Sequence, residues 1–177
     1  NQQDVLSAHS LVNTYEEEVL RQVFWQYGEL RTAPVLAKTI VQARQIAAID
    51  TTFDLKAVLK KHLPQGRENK ILAQIYQAIR IEVNQEIEVL KAFLLQTPSL
   101  LKTDGRLSVI SYHSLEDRLV KRFIRNGLFE GEPEKDVFGN FEVPLKKVGS
   151  LIIPTSAEIK SNNRARSAKL RIAKKVN

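Results

Sequence analysis

Neither cysteine nor methionine occurs in the 177 residues, which excludes disulfides, thiolate metal sites and a cysteine nucleophile. Even an initiating methionine is missing and the first residue is Asn1, so a piece of a longer protein or a processed chain is expected. No uninterrupted apolar segment approaches about 18 residues and no signal-peptide pattern is present. A soluble, cytoplasmic protein without a membrane partner is therefore expected. His9 and His62 come with no ligand spacing, and His113 with Glu116 offers fewer ligands than the roughly three or four that a metal site needs, so no metal is expected. Acid is scarce at the carboxyl end, where Lys160, Arg164, Arg166, Lys169, Arg171, Lys174 and Lys175 outnumber the lone Glu158 and carry most of the formal +7 charge. That distribution makes an anionic partner worth considering.

What is present is organised around Gly105-Arg-Leu-Ser-Val-Ile-Ser-Tyr-His-Ser-Leu-Glu-Asp-Arg118. Leu107, Val109 and Ile110 lie in a run of strand length, and the polar cluster begins where that run stops, which predicts a buried strand entering a helix. Ser114 is placed to cap that helix, with Glu116 and Asp117 adding negative charge to its first turn. Leu115, Leu119, Val120, Phe123 and Ile124 form one apolar stripe, so the helix should lie back on a sheet. Ligands gather beyond the carboxyl ends of strands in open α/β sheets, which is where Tyr112, His113 and Ser114 fall. A purely architectural role for His113 and Ser114 competes with that reading. A hydrolase triad fits poorly, because His113, Ser114 and Asp117 are too close in sequence to assume triad geometry and no glycine-flanked elbow surrounds the serine.

The length allows a real core and suggests one domain with a small lobe. Thr14 and Glu17 form a capping-box pattern ahead of Val19, Leu20, Val23, Phe24 and Tyr27, a helix that Gly28 stops. A second helix is predicted from about Ala33, with Pro34 in its first turn and Leu36, Ala37, Ile40 and Val41 facing inward. Thr51 or Thr52 caps a third helix carrying Leu55, Val58 and Leu59, which breaks at Pro64 to Gly66. From about Glu68 to Gln96 the apolar spacing predicts one long helix, with Arg80 and Asn84 on one face. Gly139-Asn140, between Val137-Phe138 and Phe141-Val143, predicts a small hairpin or ordered flap. Thr155 and Glu158 cap a short helix ending before Asn162. Over Arg166 to Ala173, alternation predicts a strand with Ala168, Leu170 and Ile172 on the core and Ser167, Lys169 and Arg171 wet. Asn162, Arg164 and Arg166 at its start are candidates for contact with nucleic acid, since guanidinium forks suit phosphate or a base edge.

Three blocks together resemble a known family: Gly105 to Lys121, then Pro154, Glu158 and Asn162-x-Arg164-Ala-Arg-Ser-Ala-Lys-Leu-Arg171, and Tyr76-Gln-Ala-Ile-Arg-Ile-x-Val-Asn84-x-Glu-Ile87. The chain is similar to bacterial ribosomal small-subunit RNA methyltransferases that modify the exocyclic N4 of a cytidine in the decoding region. Asn13, Tyr15, Tyr27-Gly28-Glu29 and Arg44 also fit that family's helical insertion. The resemblance implies an α/β fold, part of a class I (Rossmann-like) S-adenosylmethionine-dependent methyltransferase sheet with an inserted helical substrate domain. On it, residues 1–13 end a preceding α/β segment, 14–67 form the inserted lobe and 68–177 the rest of the α/β domain, with 68–96 returning to the sheet.

The resemblance further implies S-adenosylmethionine as cofactor and 16S ribosomal RNA or the small ribosomal subunit as partner, and it leaves a homodimer open. His113, Glu116 and Asp117 take the catalytic positions; Arg44, Arg80, Asn84, Ser114, Arg118, Asn162, Arg164 and Arg166 take the RNA-binding ones. No cofactor-binding residue is assigned, because the family's Gly-Gly-His-Ser type loop and Asp-Leu-Gly motif are absent from this sequence. These residues alone are thus expected to be inactive. Gln74 replaces a family arginine two residues before the aromatic of the returning helix. A non-catalytic RNA-binding or ribosome-assembly module is the alternative.

Overall fold

The computed structural model describes residues 6–176, so the first five of the expected 1–13 segment lie outside the described residues. The chain divides into two compact units, Asn1–Glu86 and Ile87–Asn177. No helix among the described residues is long and apolar enough to cross a membrane.

The first unit is helical: α1 (Ala8–Thr14), α2 (Glu17–Gln26), α3 (Ala33–Arg44), α4 (Thr52–Leu59), a 3-10 turn at Lys60–His62, and α5 (Glu68–Val83). Leu20, Phe24, Leu36, Ile40, Leu59 and Ile75 are fully enclosed in one core, as the helical spacing predicts for α2, α3 and α4. Thr51 caps α4 reciprocally with Asp54. Thr14 caps nothing. It ends α1 instead, its hydroxyl donating to the Ser10 carbonyl at 2.7 Å, because Ser7 and Ser10 cap a helix upstream and α2 starts after Glu16 without a side-chain cap.

The predicted long helix is two helices. α5 stops at Asn84, Gln85 takes a left-handed φ of 50°, and α6 (Glu86–Leu100) begins next. The break is fastened by Glu86, whose carboxylate accepts Arg80 Nε at 2.8 Å, Arg80 Nη2 at 3.0 Å and Asn84 Nδ2 at 3.1 Å. α5 packs through Ile75, Ala78 and Ile79 into the helical core. The first unit thus takes in α1 and α5 as well as α2 to α4. Pro98 does not end α6: the Leu94 carbonyl that a residue at 98 would ordinarily bond accepts the Thr97 hydroxyl at 2.7 Å.

The second unit holds most of α6, then β1 (Arg106–Ser111), α7 (Ser114–Asn126), β2 (Leu145–Ile152), α8 (Ser156–Ser161), a 3-10 turn at Asn163–Ser167, and β3 (Lys169–Lys175). The sheet order is β1-β3-β2, both pairs antiparallel. β1 is an edge strand with Ile110 58% exposed, not the fully buried strand expected. β3 is the centre, and its faces are the reverse of the prediction. Lys169, Arg171 and Ala173 share the face that carries Leu107 and Leu145 and packs on Val120, Phe123 and Ile124 of α7. Arg164 and Arg166 sit in the 3-10 turn before the strand rather than at its start.

The inward charges are explained by Asp117 in the first turn of α7, which is 7% exposed. Its carboxylate accepts Arg171 Nε at 2.7 Å, Arg171 Nη2 at 3.1 Å and Lys169 Nζ at 3.3 Å. Burial by itself pushes this carboxyl up, but the hydrogen bonds and positive charge of Arg171 and Lys169 outweigh it and hold Asp117 below the usual carboxylate range. Gly127 closes α7 in the left-handed region, φ 71°, its N–H meeting the Phe123 carbonyl at 2.8 Å. The predicted hairpin around Gly139 is instead a turn built on Asp136, which accepts the Phe138 and Asn140 amides at 2.9 and 2.7 Å. Val137 and Phe138 are 94% and 86% exposed, whereas Phe129 stacks on Phe123 with ring centres 5.0 Å apart.

Two stability predictions follow from these contacts. A Cβ at Gly28 would stand 2.7 Å from the Phe24 carbonyl oxygen and 3.2 Å from that of Gln74, both backbone. Gly28→Ala should lower the stability of the helical unit by about 1–3 kcal/mol in denaturant titration; an unchanged midpoint would show that the backbone yields there. Because the folded Asp117 pKa is depressed, its contribution is complete above the unfolded value of about 3.9 and is lost as pH falls through the folded value. Asp117→Asn should therefore cost about 3 kcal/mol near neutrality and flatten the acid limb of the stability profile, measured by melts from neutral to acid pH.

Candidate functional site

The strand-to-helix junction is shaped by two adjacent carboxylates pointing different ways. Asp117 anchors α7 to β3 as described. Glu116 turns back on the chain, its Oε2 accepting the backbone amides of Tyr112 at 3.1 Å and His113 at 3.2 Å. His113, with extended backbone (φ −110°, ψ 146°), holds the cap position, and Ser114 is the first helical residue. The expected Ser114 cap is thus displaced by one residue, because Glu116 lies three beyond His113 and completes the reciprocal bond there. Ser111, the last residue of β1, is buried with a hydroxyl that makes no hydrogen bond among the described residues. Tyr112 beside it is exposed.

Antiparallel pairing brings a second group to this end of the sheet. Ser111 sits opposite Lys169, so the exit of β1 and the start of β3 are neighbours. Asn162, Arg164 and Arg166 immediately precede that start. Asn162 Oδ1 accepts the Arg164 amide at 3.1 Å, and buried Ala165 anchors the turn, leaving both arginines exposed. Neither arginine forms an ion pair among the described residues. Tyr112 to Arg118 and Asn162 to Arg166 therefore share one sheet end, a polar rim on which the exposed Arg164 and Arg166 guanidinium groups suit phosphate.

In the helical unit, Arg80 and Asn84 are brought together on Glu86, and both line a hollow of about 330 Å³ whose walls include Val12, Ile49, Leu55 and Ile79. His9 Nε2 meets Asp50 Oδ1 at 3.0 Å on its rim, and the Tyr76 hydroxyl donates to the Thr52 carbonyl at 3.1 Å. Arg44 is engaged elsewhere, donating to the Val12 carbonyl at 2.9 Å. Sequence reasoning missed His9, Asp50 and Thr52 in this hollow. His9 had no ligand spacing to mark it, and Tyr76 reads as one more member of an apolar stripe.

Several positions that matched the family are ties within the helical unit. Asn13 bonds both polar groups of the Ile49 backbone at 2.9 Å, the Tyr15 hydroxyl donates to Glu82 at 3.0 Å, and the Gly28 carbonyl accepts at 3.0 Å from Gln74, the residue that stands in place of a family arginine. Among the described residues no cluster of His, Asp and Glu could hold a metal ion. Gly66, Gly131, Gly139 and Gly149 have open space around them.

Residues 1–176 match the family model described as the MraW methylase family. The chain is 66% identical over 176 residues to the ribosomal RNA small subunit methyltransferase H of Flavobacterium johnsoniae, covering 99% of this chain and 58% of the relative. The protein of that name from Christiangramia forsetii is likewise 66% identical over 176 residues, with the same coverage. That from Bacteroides thetaiotaomicron is 48% identical over 176 residues, again 99% of this chain and 58% of the relative. The chain thus spans less than two thirds of the length of the curated relatives it matches, and along that span it belongs to the MraW methylase family.

Proposed function

We propose that the whole protein methylates small-subunit ribosomal RNA, at the N4 amine of a cytidine in the decoding region of 16S RNA, with S-adenosylmethionine as methyl donor. The observation that carries this reading is the 66% identity, through 99% of the chain, to proteins named ribosomal RNA small subunit methyltransferase H. Two features of the sheet unit support it. β1 presents an unpaired edge and a buried, unpartnered Ser111 hydroxyl at the strand end where ligands collect. The central β3 is antiparallel to both neighbours, so β1 and β2 run parallel, in keeping with the closing strands of a larger Rossmann-like sheet. The helical unit is the inserted substrate lobe on this reading.

On this reading the site residues of this chain serve the RNA, and no methyl-donor contact is assigned to them. The cytosine N4 lone pair is delocalised into the ring, and its alignment supplies much of the rate. His113 and Glu116 border the base, and Asp117 holds the helix that positions them. Ser114 and Arg118 contact the nucleotide, Asn162, Arg164 and Arg166 hold flanking phosphates, and Arg80, Asn84 and Arg44 belong to the lobe's RNA face. The base must be out of its stack to be reached. A cytoplasmic location follows from the substrate.

The test is methyl transfer by the whole protein to small subunits from a strain lacking it, with the product nucleoside identified by mass spectrometry. N4-methylcytidine is expected. RNA binding without any methyl transfer would favour an assembly module instead. Arg164→Ala with Arg166→Ala should weaken RNA binding more at low salt than at high salt and reduce the salt slope by about 2; unchanged affinity in a titration would remove both from the site.

A further inference from the structure

A second RNA-binding feature lies away from the residues assigned above, in the slot between α7 and β2. The slot has a volume of about 410 Å³, and Ile124, Val143 and Leu145 give it an apolar floor on the α7 face of β2. Phe141 stands in its wall, 36% exposed. Lys121, Arg125, Lys146 and Lys147 also line it, with Arg171, which is held by Asp117, and no carboxylate does. Lys121, Lys146 and Lys147 form no ion pair among the described residues, and they and Arg125 are exposed.

Solvation alone explains lysines scattered over a surface. It does not explain four cations gathered round an apolar slot that keeps a half-open aromatic ring, where their mutual repulsion is uncompensated. The neighbouring hollow in this unit provides the contrast. It also touches Phe141, but its rim carries Glu132, Glu134, Asp136 and Glu142. A polyanion is repelled on that side and attracted on the other. An apolar floor with an aromatic wall and a cationic rim is the combination that holds single-stranded nucleic acid, bases stacking while phosphates pair with the rim. β2 is also an edge strand, and its register slips between Val148 and Ile152 around Gly149, φ 66°, which has open space beside it. Backbone there is approachable.

We propose that this slot takes one unstacked nucleotide of single-stranded RNA, its base against Phe141 and the apolar floor and its phosphates on Lys121, Arg125 and Lys147. The proposal rests on the RNA-substrate reading above and adds a docking point outside the reacting site. The experiment uses the whole protein and a short fluorescein-labelled single-stranded oligoribonucleotide, with affinity read by anisotropy and contacts by ultraviolet crosslinking and peptide mapping. Phe141→Ala should weaken binding about 10-fold, Phe141→Trp should restore it, and a crosslink should map to the Phe141 peptide. Lys121→Glu with Lys147→Glu should weaken binding and lower its salt dependence, with melting curves unchanged because both side chains are exposed. Parental affinity in both variants, no crosslink at the slot, or no RNA binding by the parent would overturn the proposal. Failure of methyl transfer with RNA binding at the slot intact would overturn the enzymatic reading alone.

Discussion

Asp117 is the interaction on which the sheet unit depends. Its carboxylate sits in the first turn of α7 and reaches Arg171 with two forked bonds and Lys169 with a third. A charge this deep would be costly alone, and removing one partner would leave others buried and uncompensated. Held together, the three groups fix the start of α7 over the centre of the sheet. Glu116, one residue earlier, then fixes the preceding turn by accepting the Tyr112 and His113 amides. Ordering at the junction is therefore inherited from a contact between residues more than fifty apart in sequence. If a base is placed against His113, as proposed, it needs that order, since misplacement at a reacting centre is punished steeply.

Polar side chains do comparable work in the helical unit. Glu86 gathers Arg80 and Asn84 across the break between α5 and α6, Asn13 clamps Ile49, and Gln74 reaches Gly28. Each bond satisfies a loop or helix-end backbone group, or fixes a bend that the helix ladder cannot. The consequence for function is that a motif residue can be fixed in sequence for holding a loop. Arg44 shows the point: its guanidinium is directed to the Val12 carbonyl. Arg80 and Asn84 combine both aspects, since they bind Glu86 and line the hollow.

Short-range signals made much of this legible. α3, α4, α7 and α8 follow from apolar spacing and caps, and β1 and β3 from strand patterns. The break at Gln85 escaped because the apolar stripe continues through it, from Val83 to Ile87 and Leu90, while the cause is a positive φ and a carboxylate. β2 escaped because Lys146, Lys147 and the shift at Gly149 spoil a period of two. The faces of β3 were inverted for a different reason. Alternation places charge outward unless a buried opposite charge waits inside, and Asp117 is far away in sequence. The candidate site divides the same way: Tyr112 to Arg118 is contiguous and visible, whereas the hollow around His9, Asp50 and Thr52 exists only after folding.

The register of the sheet also relates the two basic features of its unit. Leu145 on β2 pairs with Lys175, and Ile152 pairs with Leu170, so β2 runs toward the end where β1 exits at Ser111 and β3 begins at Lys169. The slot follows β2 over much of its length, from Leu145 to Leu151. On the proposal, an RNA strand lying in it and continuing past Ile152 would run toward the sheet end that carries Arg164, Arg166 and the His113 turn. Stacking on Phe141 then works as a remote binding contact, whose energy fixes the strand without touching the reacting base. Electrostatics set the direction, because the acidic rim at Glu132 to Glu142 closes the other side of Phe141 to phosphate. A docking point at one end and arginine forks at the other constrain a flexible strand more than either does alone, since the second contact forms at an effective concentration set by the first.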